Sequence, residues 1–274
     1  MSLVGDTLAH RRWLIGYENS AVRELMAVYT KRTRALIGRL DAIQKQLEAG
    51  EALTPAQAAQ AGRDRVRLRR AYARLTADVQ AATQTRLERA VAVELRTSAR
   101  TLTAGLPRGV TARAPAVDIR TLVQSPTAGQ LWAARLDASA TPALRSLDAA
   151  LAISIDRGAS MPEAARLVAV ALDKVGQHRR GIARIVRTEI QRVSNQAAQA
   201  TYRENRDVVK SVRYLATLDS RVCEVCRPLH RITYDLDIDG QHRGPVIPQH
   251  PNCRCFYAPV TYSIGEILAR RATG

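Results

Sequence analysis

From Glu18 to Ala49 the apolar residues Val22, Leu25, Met26, Tyr29, Leu36, Leu40, Ile43 and Leu47 recur at steps of three and four, with Thr33 filling the one gap. This spacing gathers them on one side of a 3.6-residue repeat and predicts an amphipathic helix. Gly50 ends it, and Thr54 before Pro55 supplies a cap and a first-turn proline for a second helix. The second stripe runs through Leu68, Tyr72, Leu75, Val79, Leu87, Val91, Ser98 and Leu102 to about Thr103. The two form a helical hairpin. Unless Gly62 breaks it, the second arm reaches roughly 70 Å at about 1.5 Å per residue. One compact core does not need such a length, which points to packing within an assembly.

Pro107, Gly109, Pro115, Ser125 and Pro126 interrupt the periodicity and mark a connector. Helical texture resumes from Gln130 to Leu147, continues from Asp148 to Ile155, and stops at the turn Asp156-Arg157-Gly158. Ser160 followed by Glu163 is a capping box that opens a helix directing Leu167, Val168, Val170 and Leu172 toward a core. A further helix runs from about Arg179 to Asn205, with Ile182, Ile185, Val186, Ile190, Val193, Ala197 and Ala200 on its stripe. After Asp207 the texture changes. Val208-Val209 and Val212 to Thr217 are β-prone, Tyr234 to Ile238 alternates with period two, and a short helix runs from its cap Ser263 to about Arg271.

The expected organisation is therefore a long helical region over 1–105, a connector over 106–126, a helical bundle over 127–207, and a small β-rich Cys/His module over 208–274. The fold class is mainly α: a long N-terminal helical hairpin and a helical bundle, followed by a small β-rich C-terminal cysteine module (α+β).

All four cysteines lie in that last module. Cys223-Glu-Val-Cys226 is a CxxC knuckle, and His250-Pro-Asn-Cys253-Arg-Cys255 follows, giving C-x2-C-x26-C-x-C with a histidine three positions before the third cysteine. Two thiolates of a knuckle reach one Zn(II) at about 2.3 Å, and a second pair from another loop closes the tetrahedron. Five candidates compete for four places. Cys253 and Cys255 face one side of an extended segment, favouring four thiolates, whereas a tight turn brings in His250 and leaves Cys255 spare. Structural zinc, reduced or disulfide-linked cysteines, and a catalytic metal are the three readings. A module of this size buries little apolar surface, so a staple is physically reasonable. A closed four-ligand site has no open position for water.

Asp235-Leu-Asp237-Ile-Asp239-Gly240 superficially resembles a calcium loop, but Val246 stands where the bidentate Glu is needed. A strand with one wet face explains the alternation better. His230 and His242 flank this stretch outside any nuclease motif, and no P-loop, GxSxG or HExxH occurs. His10 and His178, alone among arginines, read as surface residues.

The chain of 274 residues carries a formal net charge of +17. Residues 1–105 and 106–214 each contribute +8, and residues 215–274 contribute +1. The cysteine module is thus nearly neutral, and the basic field lies on the helices. It predicts salt-sensitive, sequence-tolerant attraction to nucleic acid or an acidic partner, although a solvated helical face accounts for the same charge. An aromatic content of 4% argues against base-specific recognition by stacking. Met1 to Ser20 does not read as a secretory signal, and no apolar run approaches about 18 residues, so no membrane-spanning helix is expected. A reducing cytoplasm then favours metal ligands or free thiols over disulfides.

Arg187-Thr188-Glu189, Asn195, Ala198 and Tyr202, then Leu215 to Cys226, and Pro248-Gln249-His250-Pro251-Asn252-Cys253-Arg254-Cys255 together resemble the phage Mu F-like minor head protein (head morphogenesis) family, over roughly Gly158 to Val260. Tyr214 stands where that family commonly has Trp, and Arg231 where it commonly has Gly. The resemblance implies a non-enzymatic minor capsid component inside the head near the portal vertex, made in the host cytoplasm, acting in head assembly and in genome packaging or ejection. It implies the portal protein and the major capsid protein as partners, non-specific contact with packaged double-stranded DNA, self-association in multiple copies, and no membrane. Glu189 and Asp219 are candidates for orienting the bundle against the cysteine module, the alternative being ordinary surface or capping residues. Two rival readings are a metal-dependent nuclease using His230, His242 or His250, and a soluble cytoplasmic DNA-binding factor.

Overall fold

The structure, a computed structural model, describes residues 3–127, 129–155 and 160–272. Two long helices open the chain, α1 (Leu3–Glu48) and α2 (Pro55–Ala104). The short helix α3 (Ile119–Val123) lies in the connector, and α4 (Trp132–Ile155) and α5 (Met161–Glu204) follow. Strands β1 (Val209–Leu215), β2 (Thr233–Asp235) and β3 (Phe256–Thr261) and helix α6 (Ile264–Ala272) complete it. The fold is mainly helical with one small sheet, as the periodicities predict. No helix among the described residues is long and apolar enough to cross a membrane.

The chemistry at the helix ends follows the sequence. Thr54 and Gln57 make a reciprocal capping box, Thr54 Oγ1 accepting from the Gln57 amide at 3.3 Å and Gln57 Oε1 from the Thr54 amide at 2.8 Å. Ser263 and Glu266 do the same at the start of α6. Ser160 Oγ accepts from the Glu163 amide, but the Glu163 carboxylate turns to Arg166 instead of completing the box.

Several expectations are corrected. α1 begins at Leu3, fifteen residues before Glu18, because Leu14 and Tyr17 continue its buried side. Gly62 does not break α2. The helices expected from Ser160 and from Arg179 are one helix, α5, since Ala171, Val175 and His178 bridge their two stripes. Val170 is exposed rather than core. The alternation from Tyr234 to Ile238 yields a strand only to Asp235; beyond it Asp237 Oδ1 accepts from the amides of Asp239 and Gln241, and that turn leaves Ile238 exposed. Gly240 sits at φ 73° in the same turn, where a Cβ would strike Arg203. β3 was not anticipated. The turn expected at Asp156-Arg157-Gly158 lies outside the described residues.

The chain divides into two compact units, one made of residues up to 20, 84–125 and from 187 onward, the other of 21–83 and 126–186. In the second, Leu25, Tyr29 and Leu40 of α1, Leu68, Leu75 and Val79 of α2, Leu136 and Leu147 of α4, and Val168 and Val175 of α5 are buried. Thr33 fills the gap in the seam because its hydroxyl donates to the Tyr29 carbonyl at 2.9 Å, and Thr83 donates likewise to Val79 at 2.7 Å.

His178 belongs to this core and not to the surface. It is 4% exposed, lies edge-on to Tyr29 with ring centroids 5.4 Å apart, and stacks on Tyr72 at 5.8 Å. Tyr29 Oη donates to the Val175 carbonyl at 3.0 Å. Burial pushes the His178 pKa down to about 4. His10 is also not a free surface residue, since its Nε2 lies 2.8 Å from the Glu94 carboxylate.

Because the folded pKa of His178 lies below its unfolded value, the unfolded chain takes up the proton first, and stability falls as pH drops from about 6.5 toward 4. Replacing His178 by Gln should therefore cost more at neutral pH than near pH 4, the gap between wild type and variant closing by up to roughly 3 kcal/mol. Urea unfolding of both proteins across that range measures it. A pH-independent gap would show that the ring's protonation is uncoupled from folding.

Candidate metal centre

In the first unit β1 is the central strand of a three-stranded antiparallel sheet of order β2-β1-β3. Its register with β3 sets Leu215 opposite Phe256 and Tyr214 opposite Tyr257. The chain leaving β1 and the chain entering β3 therefore meet at one end of the sheet. The first carries Cys223 and Cys226, the second His250, Cys253 and Cys255. Antiparallel pairing thus brings together donors that are far apart in sequence.

All five predicted site residues converge there. The Sγ atoms of Cys223 and Cys226 and a ring nitrogen of His250 lie within 4.8 Å of one another, and so do the Sγ atoms of Cys226, Cys253 and Cys255. Cys226 belongs to both groups. His250 Nε2 is 3.1 Å from Cys223 Sγ and 3.4 Å from Cys226 Sγ. Its Nδ1 lies 2.9 Å from the Pro251 carbonyl, which can only accept, so Nδ1 carries the proton and Nε2 presents its lone pair to the sulfurs. The Cys226 amide donates to Cys223 Sγ at 3.3 Å, closing the knuckle. Cys226, Cys253 and Cys255 are buried, and Cys223 and His250 are half-buried.

The thiols are unequal. Hydrogen bonding from Cys255 holds the Cys253 pKa down at about 5, against the opposing effect of burial, while the same hydrogen bond and burial push Cys255 upward. Burial opposes ionisation of Cys223, but hydrogen bonds from Cys226 and the nearby imidazole outweigh it and lower its pKa. Burial raises Cys226 to about 11. Each loop therefore offers one easily formed thiolate. Soft thiolates with one imidazole nitrogen, gathered at these separations, are a donor set that fits a tetrahedral metal ion. Binding such an ion would release the protons held by the other thiols.

The surrounding residues were not legible as site residues in the sequence. Tyr214 Oη donates to Cys226 Sγ at 3.4 Å and accepts from Gln249 Nε2 at 3.0 Å. Thr188, Gln191 and Asn195, at i, i+3 and i+7, form a polar stripe on α5. Thr188 Oγ1 accepts from the Asn252 amide at 3.0 Å, Asn195 Nδ2 donates to the Cys255 carbonyl at 3.3 Å, and Gln191 Nε2 donates to the same carbonyl. Asn252 itself sits at φ 59°, a conformation Asn tolerates well. A polar stripe at helical spacing beside the apolar one was the available signal.

Asp219 ties the two loops together. It pairs with both terminal nitrogens of Arg254, the Nη2 contact at 2.6 Å, and those bonds hold its carboxyl well below the usual range. Glu189 is fully buried 2.6 Å from Arg192, whose guanidinium also donates to the Leu122 and Val123 carbonyls. Through Arg192 it joins α3 to α5. Arg231 holds φ 70°, the left-handed region in which Gly is at ease.

The histidines proposed for nuclease chemistry are not gathered. His230 Nδ1 accepts from the Ala216 amide at 3.2 Å, His242 packs on Tyr257 at 4.5 Å between ring centroids, and His250 stands among the thiols. Among the described residues, the two cysteine-containing groups are the metal-capable clusters of three or more side chains. A cavity of about 340 Å³ opens beside His250 and Cys253, with Glu18, Arg187 and Arg221 in its wall. Burial raises the Glu18 pKa to about 7.

Thr188→Val keeps the shape of the side chain but removes the acceptor for the Asn252 amide. We expect it to cost about 1–3 kcal/mol in urea unfolding, and a neutral result would show that the Thr188 bond does not help to anchor the second cysteine loop.

Comparison with curated proteins and with solved structures returns no match. Residues 145–258 match the family model described as Phage Mu protein F like protein, a span that contains all of α5, β1 and β2 and all five sulfur and imidazole donors. Over that segment, the chain is similar to the phage Mu protein F-like family.

Proposed function

We propose that this protein is a minor head protein acting in phage head morphogenesis, placed inside the capsid near the portal vertex, and that one structural zinc ion holds its C-terminal module together. The observation that carries this reading is the convergence of five soft donors within the Phage Mu F-like segment. Zinc suits the donor set because thiolate and imidazole are its common structural ligands and it needs no redox partner. Cys226 is common to both clusters, so it is a ligand in either arrangement: with Cys223, His250 and one of Cys253 or Cys255, or with the three other thiolates. Four protein ligands leave no position for a water molecule, which fits a staple and not a hydrolase.

In this reading the work is binding. The helical regions supply contact area for the portal protein, the major capsid protein and further copies of the chain. The net charge of +17 supplies salt-dependent attraction to packaged double-stranded DNA, since neutralised phosphates release counterions. The near neutrality of residues 215–274 separates the stapled module from that role. The protein resides in the virion and, during assembly, in the host cytoplasm. Nuclease activity would instead appear as metal-dependent plasmid cutting lost in a His250→Ala variant.

Elemental analysis of the purified protein should find roughly one zinc per chain. Cys226→Ser should lose the metal and the melting transition with it, whereas protein free of metal after purification in zinc-supplemented medium would overturn the staple. In infected-cell lysates the chain should sediment with heads and be retained by portal-containing particles. Recovery only in the particle-free fraction would remove the head assignment and favour a soluble DNA-binding factor.

A further inference from the structure

Several arginines of the second unit are neutralised within it. Arg32 pairs with Asp78 at 2.7 Å, Arg39 with Asp64 at 2.6 Å, Arg65 with Asp148 at 3.1 Å and Arg166 with Glu163 at 2.6 Å. Arg23, Lys31, Arg34 and Arg179 are different. All four are exposed, none has a carboxylate within ion-pair distance among the described residues, and all four line one open groove of about 860 Å³.

The groove has two textures. Its cations lie along three turns of α1, with Arg179 of α5 added, while Val22, Met26 and Ala27 of α1 line it with apolar surface. Arg23, Ala27, Thr30 and Arg34, at i, i+4, i+7 and i+11, form one row of the helix, so the charged positions bracket the small ones. Cations alone would serve a nucleic-acid backbone, but phosphate and sugar gain nothing from covering Met26 and Ala27. An amphipathic helix with acidic flanks uses both textures: its apolar row covers the methionine and alanine, and its carboxylates lie beside the four unpaired cations.

We propose that this groove docks an acidic amphipathic segment of a partner protein. The inference deepens the reading of a head protein held among other head proteins, and rests on it for the existence of such a partner. Charge complementarity selects the acidic flanks, and the apolar surface of half-buried Met26 and exposed Ala27 selects protein over DNA.

The test uses the full-length chain and fluorescence anisotropy with a labelled peptide of roughly 15 residues, leucines at i, i+3 and i+7 and glutamates on both flanks. A second peptide has the same composition in an order that spreads the leucines around the helix. The ordered peptide should bind at least about 10-fold more tightly than the shuffled one, and Arg23→Glu with Arg34→Glu should remove about 10-fold or more. Met26→Gln, which keeps length and charge, should weaken the ordered peptide by about 3- to 10-fold. Circular dichroism checks that each variant keeps its helix content. Equal binding of the two peptides, or no effect of Met26→Gln, overturns the proposal. So does duplex DNA of about 20 base pairs that outcompetes the ordered peptide and loses its own binding on charge reversal. Wild-type protein found in heads but blind to the ordered peptide removes the groove alone, whereas peptide binding by a chain absent from heads leaves the groove and removes the head reading.

Discussion

The pairing of β1 with β3 is the constraint on which the C-terminal module depends. Leu215 opposite Phe256 fixes where two loops leave the sheet, and everything chemically distinctive in the module sits on those loops. A slip of one residue would turn Tyr214 and Tyr257 away from the core they share. Tyr214 could not then reach Cys226, and the Cys255 carbonyl could not meet Gln191 and Asn195. Register, thiol convergence and docking on α5 are one arrangement seen from three sides.

Much of the helical fold was legible because it rests on local rules. Apolar spacing found the seams of α1 and α2 down to Thr33, and Thr54 and Ser263 announced their helices through side chains that reach only a few residues. What stayed hidden depends on residues distant in sequence. His178 interrupts an apolar stripe and reads as polar, yet Tyr29 and Tyr72 give its ring a core to fill, which makes α5 continuous. β3 escaped notice because Phe256 to Thr261 is short, contains Pro259, and becomes a strand by pairing with β1.

The candidate site divides in the same way. Knuckle spacing and the HPxCRC stretch named all five donors, since metal-ligand geometry is written in short intervals. Thr188, Gln191 and Asn195 stood out only as a polar stripe, and what they hold stayed hidden because their partners are backbone groups some sixty residues away. Glu189 shows the limit of reading charge from sequence. A carboxylate in an arginine-rich helix looks solvated, but it is fully buried with Arg192, and the same guanidinium holds the carbonyls that end α3. Such a pair is tolerable only because its remaining hydrogen bonds are made.

Were the sulfur cluster to hold a cation, metal binding and packing would be a single equilibrium. Burying Gln191 and Asn195 is unfavourable unless their amides find acceptors, and the acceptor is a carbonyl of the very loop that carries Cys253 and Cys255. That loop is held from its other side by Arg254 on Asp219 and by the sulfur cluster. Buried thiols resist ionisation, as the raised pKa of Cys226 shows, so gathering several thiolates in one place is costly without a cation among them. A bound cation would offset that cost and in doing so fix the carbonyl that satisfies α5. The polar stripe on the helix and the thiols in the loops would then stabilise each other through the ion, while the Cys255 carbonyl already joins them.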